Sequence, residues 1–127
     1  MRVFNINRQN LKLFIMEIHN YASWNQLVYY VSSVYHATRK FKPGEPGQLQ
    51  EKIRRTAISL SVDFNTCYPD DDFQGGKARI YPILSSISVL ETYLQLAKKY
   101  KLLKDTSVLD EKLAEVKEIL NRYLEEE

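Results

Sequence analysis

Cysteine is nearly absent from this chain, with a single thiol, Cys67, in 127 residues. One cysteine cannot close an internal disulfide, so packing alone must hold the fold, and a reducing, cytoplasmic setting is the expectation. Long apolar runs are missing as well. The longest, such as Leu27-Val28-Tyr29-Tyr30-Val31, fall far short of the ~20 residues that span a bilayer, so no membrane partner is expected. A signal peptide is not indicated either, because Lys12 interrupts the candidate apolar segment Leu11 to Met16. Glycine and proline, four of each, gather between Pro43 and Gly47 and between Pro69 and Gly76, with Pro82 apart. Gly75-Gly76-Lys77 lacks the spacing and the preceding strand of a phosphate-binding loop.

What remains is an ordinary globular composition, 44% hydrophobic and 27% charged, which argues against disorder. The length suits one domain with a real core and is too short for two. The net charge of +2 hides an asymmetry. Residues 1–60 hold nine Lys/Arg against three Asp/Glu, giving +6, and residues 61–127 hold nine against thirteen, giving −4. Such polarity can present a basic surface to nucleic acid, or draw copies of the chain together. Residues 1–15 read as a leader, with Arg2, Arg8 and Lys12 and no acid before Glu17. Counted from Met16, fifteen bases face sixteen acids, a net −1. The domain is therefore drawn as 16–127.

Four segments have helical periodicity. In the first, Trp24, Leu27, Val28, Val31, Tyr35 and Thr38 follow the spacing of one helix face. It should end before Phe41-Lys42-Pro43-Gly44-Glu45-Pro46-Gly47, where helix continuation is costly. The second runs from about Gln48 to Asn65, with Leu49, Ile53, Ala57, Leu60 and Phe64 on one stripe and Ile58 and Val62 beside it. Cys67 to Lys77 reads as a surface loop. In the third, Ile80, Ile83, Ile87, Leu90, Leu94 and Ala97 step by 3, 4, 3, 4, 3, a bundle seam. Pro82 costs least if that helix begins within a turn of it. The fourth opens at Ser107, with Asp110 three residues on as a capping partner and Leu109, Leu113, Val116, Leu120 and Tyr123 as its stripe. Short links make sequential helices antiparallel neighbours, so the expected fold is an all-α, antiparallel up-down-up-down four-helix bundle. The third helix also has a second apolar row, Val89, Tyr93, Leu96 and Tyr100, which suggests a face for a partner subunit. Tyrosines lying flat on the surface are the plainer alternative.

These segments resemble a known family. Ile53-Arg54-Arg55-Thr56-Ala57-Ile58-Ser59-Leu60 is similar to the second-helix signature of the four-helix-bundle protein family named for 23S rRNA intervening sequences. Ser86-Ile87-Ser88-Val89-Leu90-Glu91-Thr92, then Leu94, Leu96-Ala97-Lys98 and Leu102-Leu103, resembles its third helix and the following turn. Trp24 and the run from Val34-Tyr35 to Phe41 resemble the two ends of its first helix. The likeness covers about 21 to 123. Ser61, Asp63, Thr66 and Cys67 stand where members usually have a proline, an asparagine and a Glu-Gly pair, which marks a divergent member. The resemblance implies a bacterial up-down bundle that assembles into a ring, commonly a pentamer, without enzymatic activity. A related branch resembles the accessory protein of diversity-generating retroelements, a basic ring that partners a reverse transcriptase and nucleic acid.

No chemistry-bearing constellation stands out. Asp70-Asp71-Asp72-Phe73-Gln74-Gly75 resembles the opening of a calcium loop, but position twelve would be Tyr81, without the bidentate glutamate. His19 and His36 have no ligands at metal spacing, and Cys67 has no evident base, so no metal, cofactor or nucleophile is assigned. The candidate nucleic-acid residues are Arg39, Lys40, Lys42, Lys52, Arg54 and Arg55. Adjacent helical positions point about 100° apart, so Arg54 and Arg55 are not expected to face one partner. One of them could instead pair with Asp63 or Glu91. Tyr29 and Tyr30 could stack on bases, or serve core edge and interface. Two functions fit: a non-enzymatic homo-oligomer that binds RNA, DNA or a reverse transcriptase-like protein, and a protein scaffold with no nucleic-acid role.

Overall fold

The computed structural model describes residues 23–65, 78 and 80–125. Among them lie four α-helices and no strand: α1 (Ser23–Ala37), α2 (Leu49–Asn65), α3 (Ile80–Lys99) and α4 (Ser107–Glu125), with a 3-10 turn at Pro46–Gln48 before α2. Helix α2 packs on α1 and α3, and α4 packs on α3 and α1, so the four close around a single core. None of the described helices is long and apolar enough to cross a membrane.

The stripes of α2 and α3 are buried as their spacing requires. Leu49, Ile53, Ala57, Leu60 and Phe64 face inward from α2, and Ile80, Ile83, Ile87, Leu90, Leu94 and Ala97 from α3. Each fully buried Leu or Ile contributes roughly 1.5–3 kcal/mol by leaving water. Leu109, Leu113, Val116 and Leu120 complete the core from α4, while the Tyr123 side chain lies outside the described residues. Pro82 is the third residue of α3, and Ala78 before it is also helical.

Helix α1 differs from expectation. Its buried face is Leu27, Tyr30, Val34 and Thr38, and Val28 and Tyr35 are exposed. The sequence stripe was wide enough to fit two overlapping faces, and the packing against α2 and α4 selected the one containing Tyr30. Trp24 lies outside the described side chains.

The links are closed by side chains. The Glu45 carboxylate accepts from the Gln50 N–H at 2.9 Å, tying the link to the first turn of α2. Gly44 adopts φ +82, a left-handed conformation that a side chain would strain even though open space surrounds it. The start of α4 is capped one residue earlier than its sequence suggests. The Thr106 carbonyl accepts the Asp110 N–H at 2.8 Å, and the Thr106 hydroxyl donates to the Asp110 carboxylate at 2.7 Å. Asp105 accepts from the Ser107 N–H at 2.9 Å. The Asp105 bond satisfies one of the donors that a helix N-terminus otherwise leaves open.

Candidate functional site

The last turn of α1 leaves carbonyl groups without helical partners, and α2 supplies the donors. Gln50 Nε2 donates to the Thr38 carbonyl at 2.8 Å. One turn along α2, Arg54 donates through Nε to the Thr38 hydroxyl at 2.8 Å and through Nη2 to the Tyr35 carbonyl at 3.1 Å. The Thr38 hydroxyl in turn donates to the Val34 carbonyl at 2.8 Å, inside the core. The Arg54 guanidinium lies over the Tyr35 ring, 4.3 Å from its centroid, where the ring face attracts a cation. Arg54 is thus a clasp between two helices, with two donor nitrogens and one face committed.

Arg55 is placed differently. It is exposed and pairs with Glu51 one turn back at 2.6 Å, an arrangement of small energetic worth. The expected pairing of either arginine with Glu91 does not occur, because Glu91 meets Lys117 across the α3–α4 seam at 3.2 Å. Contrary to the 100° argument, Arg54 and Arg55 line the same cleft, with Tyr35, Gln50, Glu51 and Ile58, in a space of about 410 Å³. Long side chains reach a broad depression from both its floor and its rim, which a Cα-based wheel does not capture. Lys52 is exposed and does not line this cleft; Arg39, Lys40 and Lys42 are exposed on the link. Sequence reasoning overlooked Lys98, Lys99, Lys101 and Lys104, which sit in the acidic half of the chain and are all exposed. Their run with Tyr100 was the available signal.

The second row of α3 divides. Val89 and Tyr100 are 42% and 51% exposed, whereas Tyr93 and Leu96 are half-buried and pack against the core. Another apolar strip lies on α1 and α2, where Val28, Tyr35, Ile58 and Val62 are exposed.

A smaller cleft of about 190 Å³ opens between α1 and α4, lined by Tyr29, Tyr30, Ser33, Val108, Leu109 and Lys112. Tyr30 is buried, and its hydroxyl has no hydrogen-bond partner among the described residues. Burial, then the charges of Asp110 and Glu91, push its pKa upward. The Asp105 carboxyl moves the other way: the Ser107 N–H, its hydroxyl and then Lys98 hold it below the usual carboxylate range. Among the described residues no three His, Cys, Asp or Glu side chains converge to hold a metal ion. His36 is exposed; His19, Cys67 and the Asp70–Asp72 run lie outside the described residues. The chain matches no protein-family model, no curated protein and no solved structure.

Proposed function

We propose that this protein is a non-enzymatic binding module: an antiparallel up-down-up-down bundle that assembles with copies of itself and binds nucleic acid, or a nucleic-acid enzyme, through a basic surface. The antiparallel order is supported by paired contacts that fall in one helix as they rise in the next. Tyr35 and Thr38 meet Arg54 and Gln50, and Glu91 and Gln95 meet Lys117 and Asp110. The observation that favours nucleic acid is a set of exposed cations, Arg39, Lys40, Lys42 and Lys52, that form no ion pair among the described residues. Charges so placed keep their full attraction for phosphate. Self-association is favoured by Val89 and Tyr100 on α3 together with the exposed strip on α1 and α2, more apolar surface than an isolated helix face needs. Repetition of a modest basic patch in an assembly multiplies its affinity. A ring, and membership of the family that the sequence resembles, belong to the same proposal.

A salt titration of binding to structured RNA and to single- and double-stranded DNA tests it. Affinity that falls linearly with log salt is the expected result. Absence of binding at low salt would leave the second reading, a protein scaffold without a nucleic-acid role. The same exposed apolar residues favour that reading.

A further inference from the structure

We infer that the nucleic-acid surface is the end of the bundle where the α1–α2 and α3–α4 links meet, that Lys98, Lys99, Lys101 and Lys104 supply much of its charge, and that it binds single strands with a base stacked on Tyr100. The inference rests on the nucleic-acid reading and the helix order proposed above.

Side-chain contacts and chain connectivity bring the two links together. The Arg54–Tyr35 and Gln50–Thr38 bonds set the end of α1 beside the start of α2. The cleft shared by Tyr29, Tyr30 and Ser33 with Val108, Leu109 and Lys112 sets α1 beside the first turns of α4. The chain from α3 reaches α4 through residues 100–106 alone. The end of α3 must therefore lie close to the end of α1. Arg39, Lys40 and Lys42 then share one surface with the four lysines of the second link, and none of these cations forms an ion pair among the described residues. Of the acids at this end, Glu45 and Asp105 accept from backbone N–H groups of α2 and α4, and Glu51 pairs with Arg55. Asp110 accepts from Thr106 and Gln95, and Glu111 is exposed, so the seven cations outnumber the acids.

The backbone holds the second link in a defined shape. Leu102 N–H donates to the Ala97 carbonyl at 2.8 Å and Lys101 N–H to the Lys98 carbonyl at 3.0 Å, the pair of hydrogen bonds that closes a helix through a left-handed residue. That residue is Lys101, with φ 62, where glycine is the favoured occupant. Lysine stands there at a conformational cost that glycine would not incur. Tyr100, half exposed, stands between Lys99 and Lys101. An aromatic face flanked by cations suits an unpaired base with phosphates on both sides, whereas a duplex hides its base faces.

Lys101→Gly separates this role from folding, because glycine relieves the left-handed strain. Fluorescence anisotropy with labelled oligo-deoxythymidine, oligo-uridine and a matched duplex would be measured over a range of salt for the wild type, Lys101→Gly, Tyr100→Ser, and a quadruple Lys98→Glu, Lys99→Glu, Lys101→Glu, Lys104→Glu variant. Single strands should bind more tightly than the duplex. Lys101→Gly should melt no lower than wild type and reduce the log–log salt slope by about 0.7, one phosphate. Tyr100→Ser should weaken single-strand binding about tenfold with little effect on the duplex. The quadruple variant, its helicity checked by circular dichroism, should not bind. Wild-type binding and slope in both Lys101→Gly and the quadruple variant would overturn this inference while leaving the broader nucleic-acid reading intact. Equal affinity for duplex and single strand, unchanged in Tyr100→Ser, would remove the stacking role. A wild type that binds none of the three probes would overturn both readings.

Discussion

Arg54 and Arg55 are neighbours of like charge with different duties. Arg54 satisfies the end of α1 and covers Tyr35, while Arg55 leans on Glu51 in solvent. Arg54→Ala strips a partner from the Thr38 hydroxyl and the Tyr35 carbonyl and should cost about 1–3 kcal/mol. Arg55→Ala should stay within about 0.5 kcal/mol. Urea unfolding midpoints compare the two, and equal losses would refute the clasp. It follows that reversing the charge of Arg54 is a poor probe of nucleic-acid binding, since unfolding would mimic lost affinity. Tyr30 offers a second test. Its buried hydroxyl is unpartnered among the described residues, so Tyr30→Phe should raise stability by about 1 kcal/mol at neutral pH. A loss of stability instead would mean that the hydroxyl finds a partner in solution. Its folded pKa lies above the unfolded value, so its ionisation has no effect on stability below pH ~10. Above that pH the unfolded chain releases this proton first, and stability should fall by up to about 1.4 kcal/mol per pH unit. Tyr30→Phe should abolish this share of the alkaline loss, as seen in thermal unfolding between pH 8 and pH 11.

Among the elements, α2 and α3 were legible because in each the main stripe is more regular than the lesser row beside it. The six residues of the 3, 4, 3, 4, 3 stripe of α3 are all buried, whereas Val89 in its second row is exposed. Helix α1 was misread because Val28, Tyr30, Val31 and Tyr35 spread apolar character over too wide an arc. Periodicity ranks faces, and a broad stripe leaves the choice to neighbouring helices. The α4 cap was displaced by one residue because Asp105, Thr106 and Ser107 are all competent capping residues. The buried Thr106 hydroxyl, bound to Asp110, makes its own prediction. Thr106→Ala should cost about 1 kcal/mol, and Ser107→Ala much less, in the same urea experiment. The reverse order would return the cap to Ser107.

At the scale of the molecule, the exposed apolar residues bear on assembly. Tyr93 and Leu96 are unsuitable for testing an interface, because both pack against the core and their replacement would loosen the bundle. Val89, 42% exposed, is the cleaner choice. Val89→Lys should leave the helicity unchanged and shift the protein toward smaller species in sedimentation velocity. A wild type that sediments as a monomer at every concentration would argue against self-association altogether.

The sequence by itself determined the helices and the inward faces of α2, α3 and α4, since these follow from local spacing and backbone chemistry. Only the tertiary structure decided which face of α1 is buried, that Arg54 serves the end of α1, and that Arg54 and Arg55 meet in one cleft. The charge map changed for the same reason. Counted along the chain, Lys98, Lys99, Lys101 and Lys104 belong to an acidic half, but charges interact through space, and packing contacts that no linear count contains set their neighbours.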